Sequence, residues 1–395
     1  MTTRLFDLDS HLRAFDAVIL SCEPGEDGTY LVIPDRTAFF PEAGGQPADT
    51  GTLGDARVLD VQEKAHDILV HVVDRPLPVG DAVHGELDWE PRLRKMQNHS
   101  GEHIISGLIH KYHGFQNTGF HIGSQDVTLD FDGVIEREEL RRIEYLANVA
   151  VAENVAVTAE YPDPALLPDM EYRSKLELTE NVRIVTIEGY DCCACCAPHV
   201  KRSGEIGMIK LLDYIHYKGG IRIHMQCGLD AWDDYNEKYD NIAAIAASLS
   251  VKQQDAALGV ARLQEALAQQ KQTITALKKE LVQAKLQALT PDASGILLFE
   301  PTLDMDGLRA MAEGAAAVRG GICIVFSGSE KAGYQYAAAA KNADLRSFAK
   351  EMNAALTGRG GGSPLMVQGS VKAGEREIRA WFANRIERKV LNIMR

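Results

Sequence analysis

The sequence has no apolar run approaching the length of a membrane span, and Met1-Thr2-Thr3-Arg4-Leu5 carries no apolar signal-peptide core. Both absences argue against membrane insertion or export, and a cytoplasmic location is expected. Positive charge is in deficit: 42 Lys and Arg against 56 Asp and Glu give a net charge of −14. That excludes a protein that coats nucleic acid by bulk attraction. The deficit is uneven, because residues 291–395 hold 14 Lys/Arg against 11 Asp/Glu, or +3, leaving −17 for the first 290. Contact with nucleic acid must then rest on local patches, foremost in the C-terminal part. An evenly spaced disulfide framework is missing too. Of seven cysteines, four crowd into residues 192–196, a grouping that in a reducing compartment points to metal or redox chemistry. With 395 residues, 45% apolar and 25% charged, the chain is an ordinary globular sequence long enough for two to four domains.

What is present centres on His99-Ser100-Gly101-Glu102-His103. The pattern that continues through Ile104, Ile105, Leu108 and Ile109 predicts a helix with one apolar side, and an i, i+4 spacing puts both imidazoles on one face. A second i, i+4 pair, Cys195 and His199, lies in Cys195-Cys196-Ala197-Pro198-His199. Three imidazoles and a thiolate suit one tetrahedral Zn²⁺ per chain. Other readings of the same residues stay open. Cys192/Cys195 and Cys193/Cys196 are each C-x-x-C, the pattern of a zinc knuckle or redox pair that needs no histidine. His99 to His103 also satisfies H-x-x-E-H, a metalloprotease pattern with Glu102 as base and Glu177 or Glu180 as third ligand, in which the cysteine loop plays no part.

The fold class expected is α+β. Residues 1–90 carry short apolar or alternating runs (18–20, 30–33, 56–59 and 68–73) between Gly, Pro and Asp, which predicts a β-barrel-like domain. Within it, Gly44-Gly45-Gln46 offers a backbone able to approach another surface and an amide that both donates and accepts, although on local evidence an ordinary Gly/Pro turn is the better reading. Residues 91–229 read as an α+β domain holding the metal half-sites, with Arg92, Arg94 and Lys95 placed either to hold a phosphate near the metal or to face solvent. Residues 230–290 read as a helical spacer. There Ser250-Val251-Lys252-Gln253 predicts a capping box, and Val260, Leu263, Leu267, Ile274, Leu277, Leu281, Ala284 and Ala288, interrupted by Gln270, form a coiled-coil seam. Residues 291–395 read as α/β. In them Gly358-Arg359-Gly360-Gly361-Gly362-Ser363-Pro364 is a glycine-rich turn fit to cradle a phosphate, and a closing helix from Glu375 to Leu391 bears Arg376, Arg379, Arg385, Arg388 and Lys389.

Taken in order, Phe40-Pro41-Glu42 through Gly44-Gly45-Gln46-Pro47, His99-x-x-x-His103, Cys195-x-x-x-His199 and Ser203-Gly204-Glu205-Ile206-Gly207 resemble the alanyl-tRNA editing proteins, the AlaX-type trans-editing factors. The same signature occurs in the editing domain of alanyl-tRNA synthetase. Gly358 to Gly362 with Gln368-Gly369 resembles the DHHA1-type domain that ends those synthetases, so the match is to a long form of the factor. The resemblance implies a trans-editing hydrolase that deacylates tRNA(Ala) mischarged with serine or glycine. It implies zinc at His99, His103, Cys195 and His199, an editing pocket beside Gly44, Gly45 and Gln46, and a DHHA1-like domain that engages the tRNA body, with Arg359 in its glycine run. The spacer would set reach or dimerisation. Two features depart from the family pattern: the thiols Cys192, Cys193 and Cys196 beside the expected ligands, and Glu102 between the histidines.

An aminoacyl ester is already activated, so an enzyme need only orient water and stabilise the oxyanion. Glu102 is a candidate base for that water, with an outer-shell role orienting a histidine as the equal alternative. Telling serine from alanine calls for a buried partner for the hydroxyl, and Gln46, Thr118 and Ser124 are chemically able. Two functions of other classes remain: the H-x-x-E-H protease, and a non-catalytic tRNA-binding protein with a structural zinc.

Overall fold

The computed structural model describes residues 2–64, 67–123, 126–174, 182–291 and 295–383. Ser124, Glu177, Glu180, Arg385, Arg388 and Lys389 lie outside them. The architecture is mixed α+β and divides into two compact units, Met1–Ala244 and Ile245–Arg395. Among the described residues no helix is long and apolar enough to cross a membrane.

The first unit opens with six antiparallel strands, Ala14–Pro24, Tyr30–Pro34, Ile68–Val73, Ala56–Lys64, Gly51–Leu53 and Ala82–Leu87 in spatial order, the last pairing back with the first. Alternation explains their common interior. Phe15, Ala17 and Ile19 point inward while Asp16, Val18 and Leu20 face out, and Val32, Leu53, Val58, Val61, Leu69 and Val73 meet them.

The helix Trp89–His113 follows. It is not one-sided: every residue from Met96 to Ile109 is buried. Two missing Cβ atoms permit this, because a side chain at Gly101 would collide with Cys227 and one at Gly107 with the Tyr190 carbonyl. Its flanks are an antiparallel sheet ordered Ile209–Tyr217, Gly220–Cys227, Val127–Phe131 and Asn117–Ile122, and the helix Arg137–Glu153, with Ile104, Ile105, Leu108, Leu129, Ile143 and Ile223 in one core. A smaller sheet, Val157–Glu160, Ile184–Ile187 and Asp191–Ala194, delivers the cysteines. Cys192 and Cys193 therefore lie on a strand and not in a loop.

The cations before the histidines are engaged by protein. Arg92 is 1% exposed and bound to Asp49, which also accepts the Phe40 amide at 2.8 Å. Arg92 donates further to the Ala38 and Ser10 carbonyls at 3.3 and 3.4 Å, so one buried guanidinium ties the helix to the strands. Arg94 is held by Glu90, Asp230 and Asp233, and Lys95 by the Ala48 carbonyl. Neither a phosphate site nor a solvated face describes Arg92.

In the second unit the helix Ala256–Gln287 presents its seam residues Leu263, Leu267, Ile274 and Leu277 to solvent. Val282 and Leu286, neither of them a seam residue, pack on the helix Met305–Arg319. The expected capping box is absent. Ser250, at φ 54°, ends the preceding helix Gly228–Leu249, and Asp255 sits at the N-cap. A five-stranded sheet follows in the order Ile296–Phe299, Cys323–Ser329, Gly333–Ala339, Met366–Val371 and Gly358–Gly362, its first pair parallel and the rest antiparallel. The glycine run expected as a turn is thus its edge strand. Gly360 opposes Gly369, and a Cβ on either would come within 2.8 Å of the Tyr336 ring or hydroxyl. The glycines make room for a buried tyrosine, and no phosphate cradle forms from a turn.

Removing one partner of a buried ion pair costs about 3–5 kcal/mol, because the other charge stays buried alone. Arg92→Met is expected to lower stability in urea by about that much. Arg92→Met with Asp49→Leu should recover a large part of the loss. A double variant no more stable than the single one would show that the pair is not the cause.

Candidate metal centre

The two i, i+4 pairs meet. His99 and His103 project from one face of the long helix with ring centroids 5.5 Å apart, and the His199 ring lies 4.8 Å from the first and 4.6 Å from the second. Cys195 completes the group. Its Sγ is 3.5 Å from Nε2 of His99 and 3.4 Å from Nε2 of His199, and ligand atoms of all four residues lie within 4.8 Å of one another. The loop is fixed from both sides. Arg183 donates to the Cys195 and Ala197 carbonyls at 3.0 and 2.8 Å, while Ala197 packs into the core of the N-terminal strands.

Each imidazole is oriented through its far nitrogen. Nδ1 of His99 is 2.9 Å from Oε1 of Gln46, Nδ1 of His103 is 2.9 Å from Oδ2 of Asp191, and Nδ1 of His199 is 3.0 Å from Oγ of Ser100. With protons drawn to Nδ1, the Nε2 lone pairs are left as donors to a common point, the arrangement that metal-ligating histidines adopt. Arg173 clamps Asp191 with hydrogen bonds of 2.7 and 2.8 Å. The chemistry of this donor set, three neutral imidazoles and one thiolate, fits zinc.

Electrostatics separate the thiols. Burial raises the Cys195 thiol, but the surrounding imidazoles of His99, His199 and His103 outweigh it and hold it well below its ordinary value. Burial pushes Cys193 up to about 11, so it stays protonated at neutral pH. Burial pushes His199 down to about 3. Burial opposes the charge on His103 as well, yet the Asp191 hydrogen bond prevails and raises it well above the usual imidazole range. Ion binding would therefore release protons from this cluster. A second group, His103, Asp191 and Cys193, shares a histidine with the first, and the Arg173 cation already occupies its carboxylate. Among the described residues no candidate metal group holds two cysteines, which is what a C-x-x-C knuckle requires. The protease reading had set the cysteine loop aside; here that loop completes the histidine group.

Glu102 is 5% exposed, and its Oε1 accepts from Ser106 at 2.6 Å and from Asn117 at 2.7 Å. Its Oε2 is 3.8 Å from Nε2 of His103. Gln46 is fully buried beside His99, Gly44 faces Cys196, and Gly45 abuts Phe120, whose ring lies 4.5 Å from that of His99. Thr118 is exposed and donates to the Asp130 carbonyl at 3.3 Å, with no contact to the four-residue group. Arg359 is on the edge strand of the other unit. Asp191, Arg173, Ser100, Ser106 and Asn117 were not singled out from the sequence. Asp191 adjoins the cysteines and Ser106 is one turn from Glu102, so both were findable; Arg173 and Asn117 carry no local signal.

Residues 182–238, which include Cys195 and His199, match the family described as the threonyl and alanyl tRNA synthetase second additional domain. Residues 13–91 match the family described as tRNA synthetases class II (A). The chain is similar to alanine–tRNA ligases from Ignicoccus hospitalis (32% identity over 80% of this chain and 36% of the ligase) and Haloquadratum walsbyi (32% over 81% and 37%). The ligase of Pyrococcus abyssi is 29% identical over 94% of this chain and 42% of its own length. The chain therefore spans about two-fifths of the relatives it matches.

Cys195→Ala and His199→Ala are each expected to abolish stoichiometric zinc binding, read by elemental analysis of the purified protein. Asp191→Asn should keep the ion but weaken it by about 10- to 100-fold in a chelator titration. Full zinc retention in both alanine variants would disprove the four-residue site.

Proposed function

We propose, from the premise that the chain is related to the alanyl-tRNA synthetases, that it is a trans-editing hydrolase. Its substrate is tRNA(Ala) carrying serine, or glycine, and its reaction is hydrolysis of the aminoacyl ester to free amino acid and intact tRNA. One zinc ion per chain is held by His99, His103, Cys195 and His199. The observation that carries this reading is the convergence of those four ligand atoms within 4.8 Å, two of them within residues 182–238 that match the synthetase second additional domain.

Zinc in such a site polarises a carbonyl or lowers the pKa of water toward about 7. The chain's own residues supply the rest. Ser106 and Asn117 fix Glu102 through Oε1, which leaves Oε2 to accept the proton of the attacking water. Arg173 and Asp191 hold the His103 ring, and Gln46 holds that of His99. Gly44 and Gly45 form the wall nearest the aminoacyl group, and the exposed Thr118 stands outside it. The division of labour follows the domains 1–90, 91–229, 230–290 and 291–395, in which a DHHA1-like C-terminal domain engages the tRNA body through Arg359. The exposed seam from Val260 to Leu281 is where a second copy would pair to give a homodimer.

Incubation with serine-, glycine- and alanine-charged tRNA(Ala), with metal content measured on the same sample, tests this reading. Serine should be released far faster than by spontaneous hydrolysis and alanine should not. Glu102→Gln should lower the rate by about 10²- to 10⁴-fold with zinc retained. Serine release at the spontaneous rate by metal-loaded protein would refute the proposal and favour a tRNA-binding protein with a structural zinc.

A further inference from the structure

Gln46 ends a tight turn. Ala43 and Gln46 exchange backbone hydrogen bonds of 3.1 and 3.0 Å across Gly44 and Gly45, whose φ values of 59° and 81° favour glycine. The turn is stapled to the strand Asn117–Ile122. The Gly45 carbonyl accepts from the Ile122 amide at 2.9 Å, and a Cβ on Gly45 would collide with the Phe120 carbonyl. A rigid frame thus carries a side chain that is 0% exposed.

Only one end of that carboxamide is used. Its Oε1 accepts from Nδ1 of His99, whereas its Nε2 is buried and has no hydrogen-bond partner among the described residues. Rotating the amide does not cure this. An N–H turned toward His99 would require a bare Nδ1, placing the imidazole proton on Nε2, the nitrogen that faces Cys195. The metal-binding tautomer therefore fixes Oε1 toward His99 and leaves a desolvated donor. Native proteins keep few buried donors unpaired, and one beside a reactive centre calls for an acceptor that arrives from outside.

We infer that Nε2 of Gln46 is the donor that reads the side-chain hydroxyl of a seryl group bound at this centre. The inference rests on the deacylase reading above. Gln46 lies at the Nδ1 edge of His99, a full imidazole away from where the four ligand atoms converge. That offset suits the substrate's side chain better than its reacting carbonyl. A seryl group offers that donor an oxygen. An alanyl group sets a methyl against the donor and leaves it unpaired, which disfavours it. A glycyl group brings nothing to the position, so its turnover is independent of the donor.

The test compares two substrates in one variant. Gln46→Met removes both amide functions. Loss of the His99 anchor would slow serine- and glycine-charged tRNA(Ala) together, whereas loss of the hydroxyl donor slows serine alone. The ratio of the two kcat/KM values, serine over glycine, is expected to fall by about 10- to 100-fold. Calorimetric binding of non-hydrolysable 3′-seryl-amido and 3′-glycyl-amido adenosine should show the same selective loss, with zinc content as control. Equal losses on both substrates would reduce Gln46 to a positioning residue for His99 and overturn the inference, as would no change in the ratio. If the methionine variant fails to fold or to hold zinc, Gln46→Glu keeps the oxygen facing His99 while deleting the N–H, and an unchanged ratio there is equally fatal. Inactivity of the wild-type protein on both substrates would instead remove the deacylase reading itself.

Discussion

Cys195 is the point on which the N-terminal unit turns. A thiol buried in protein favours its neutral form, and only the imidazoles around it reverse that preference. Those imidazoles come from a helix nearly a hundred residues earlier and from the residue one turn later in the thiol's own loop. Neither half is a site alone. The fold has to press a helix, a strand and a loop together at a place where every group is polar and almost none is wet. The supporting contacts show how that is sustained: each ring nitrogen facing away from the thiol has an oxygen of its own, from Gln46, Asp191 or Ser100. Remove the oxygens and the same four residues would be free to choose other tautomers.

The burial of the long helix follows from the same constraint. An ordinary surface helix would show solvent its polar side, and Gln97, Asn98, Ser100, Glu102 and Ser106 would lie there. All of them are buried here, each bonded to a named partner: Gln97 to the Glu205 carbonyl, Asn98 to Asp230, Ser100 to His199, Glu102 and Ser106 to each other. Polar satisfaction, rather than apolar area, is what specifies this interior.

This explains which parts of the site could be read in advance. Ligands at i, i+4 spacing leave a mark in the sequence because both members share one element, and the paired glycines before Gln46 betray a backbone that must approach something closely. Partners supplied across the fold leave none. Arg173 sits in an irregular segment and meets Asp191 through a bridge to Cys193 that no local pattern encodes. Arg92 misled for a related reason: a cation in the first turn of a helix is usually at the surface, and only the distant Asp49 makes its burial tolerable. The glycine strand at 358–362 misled in another way, because the demand for glycine at 360 comes from across the sheet, where a Cβ would meet the Gln368 carbonyl of the adjacent strand and the Tyr336 hydroxyl one strand further on. In the spacer, Ser250 had the right neighbours for a cap but adopted the left-handed conformation that closes the preceding helix.

Charge gives the last step. In the N-terminal unit many cations are already committed: Arg92 to Asp49, Arg94 to Asp230, Arg173 to Asp191, Arg183 to Asp7 and Arg222 to Asp130. A guanidinium paired with a carboxylate adds little to the attraction of a phosphate backbone. The N-terminal unit is thus poorly equipped to hold RNA by charge, and under the proposed deacylase reading its selectivity would come from short-range contacts around the ester. Affinity has to be supplied elsewhere. The residues 291–395, with their excess of three positive charges, are the part of the chain able to supply it. Under the proposed deacylase reading, separating grip from chemistry in this way would let the centre stay fitted to one small aminoacyl group, because no step there would depend on recognising the rest of the nucleic acid.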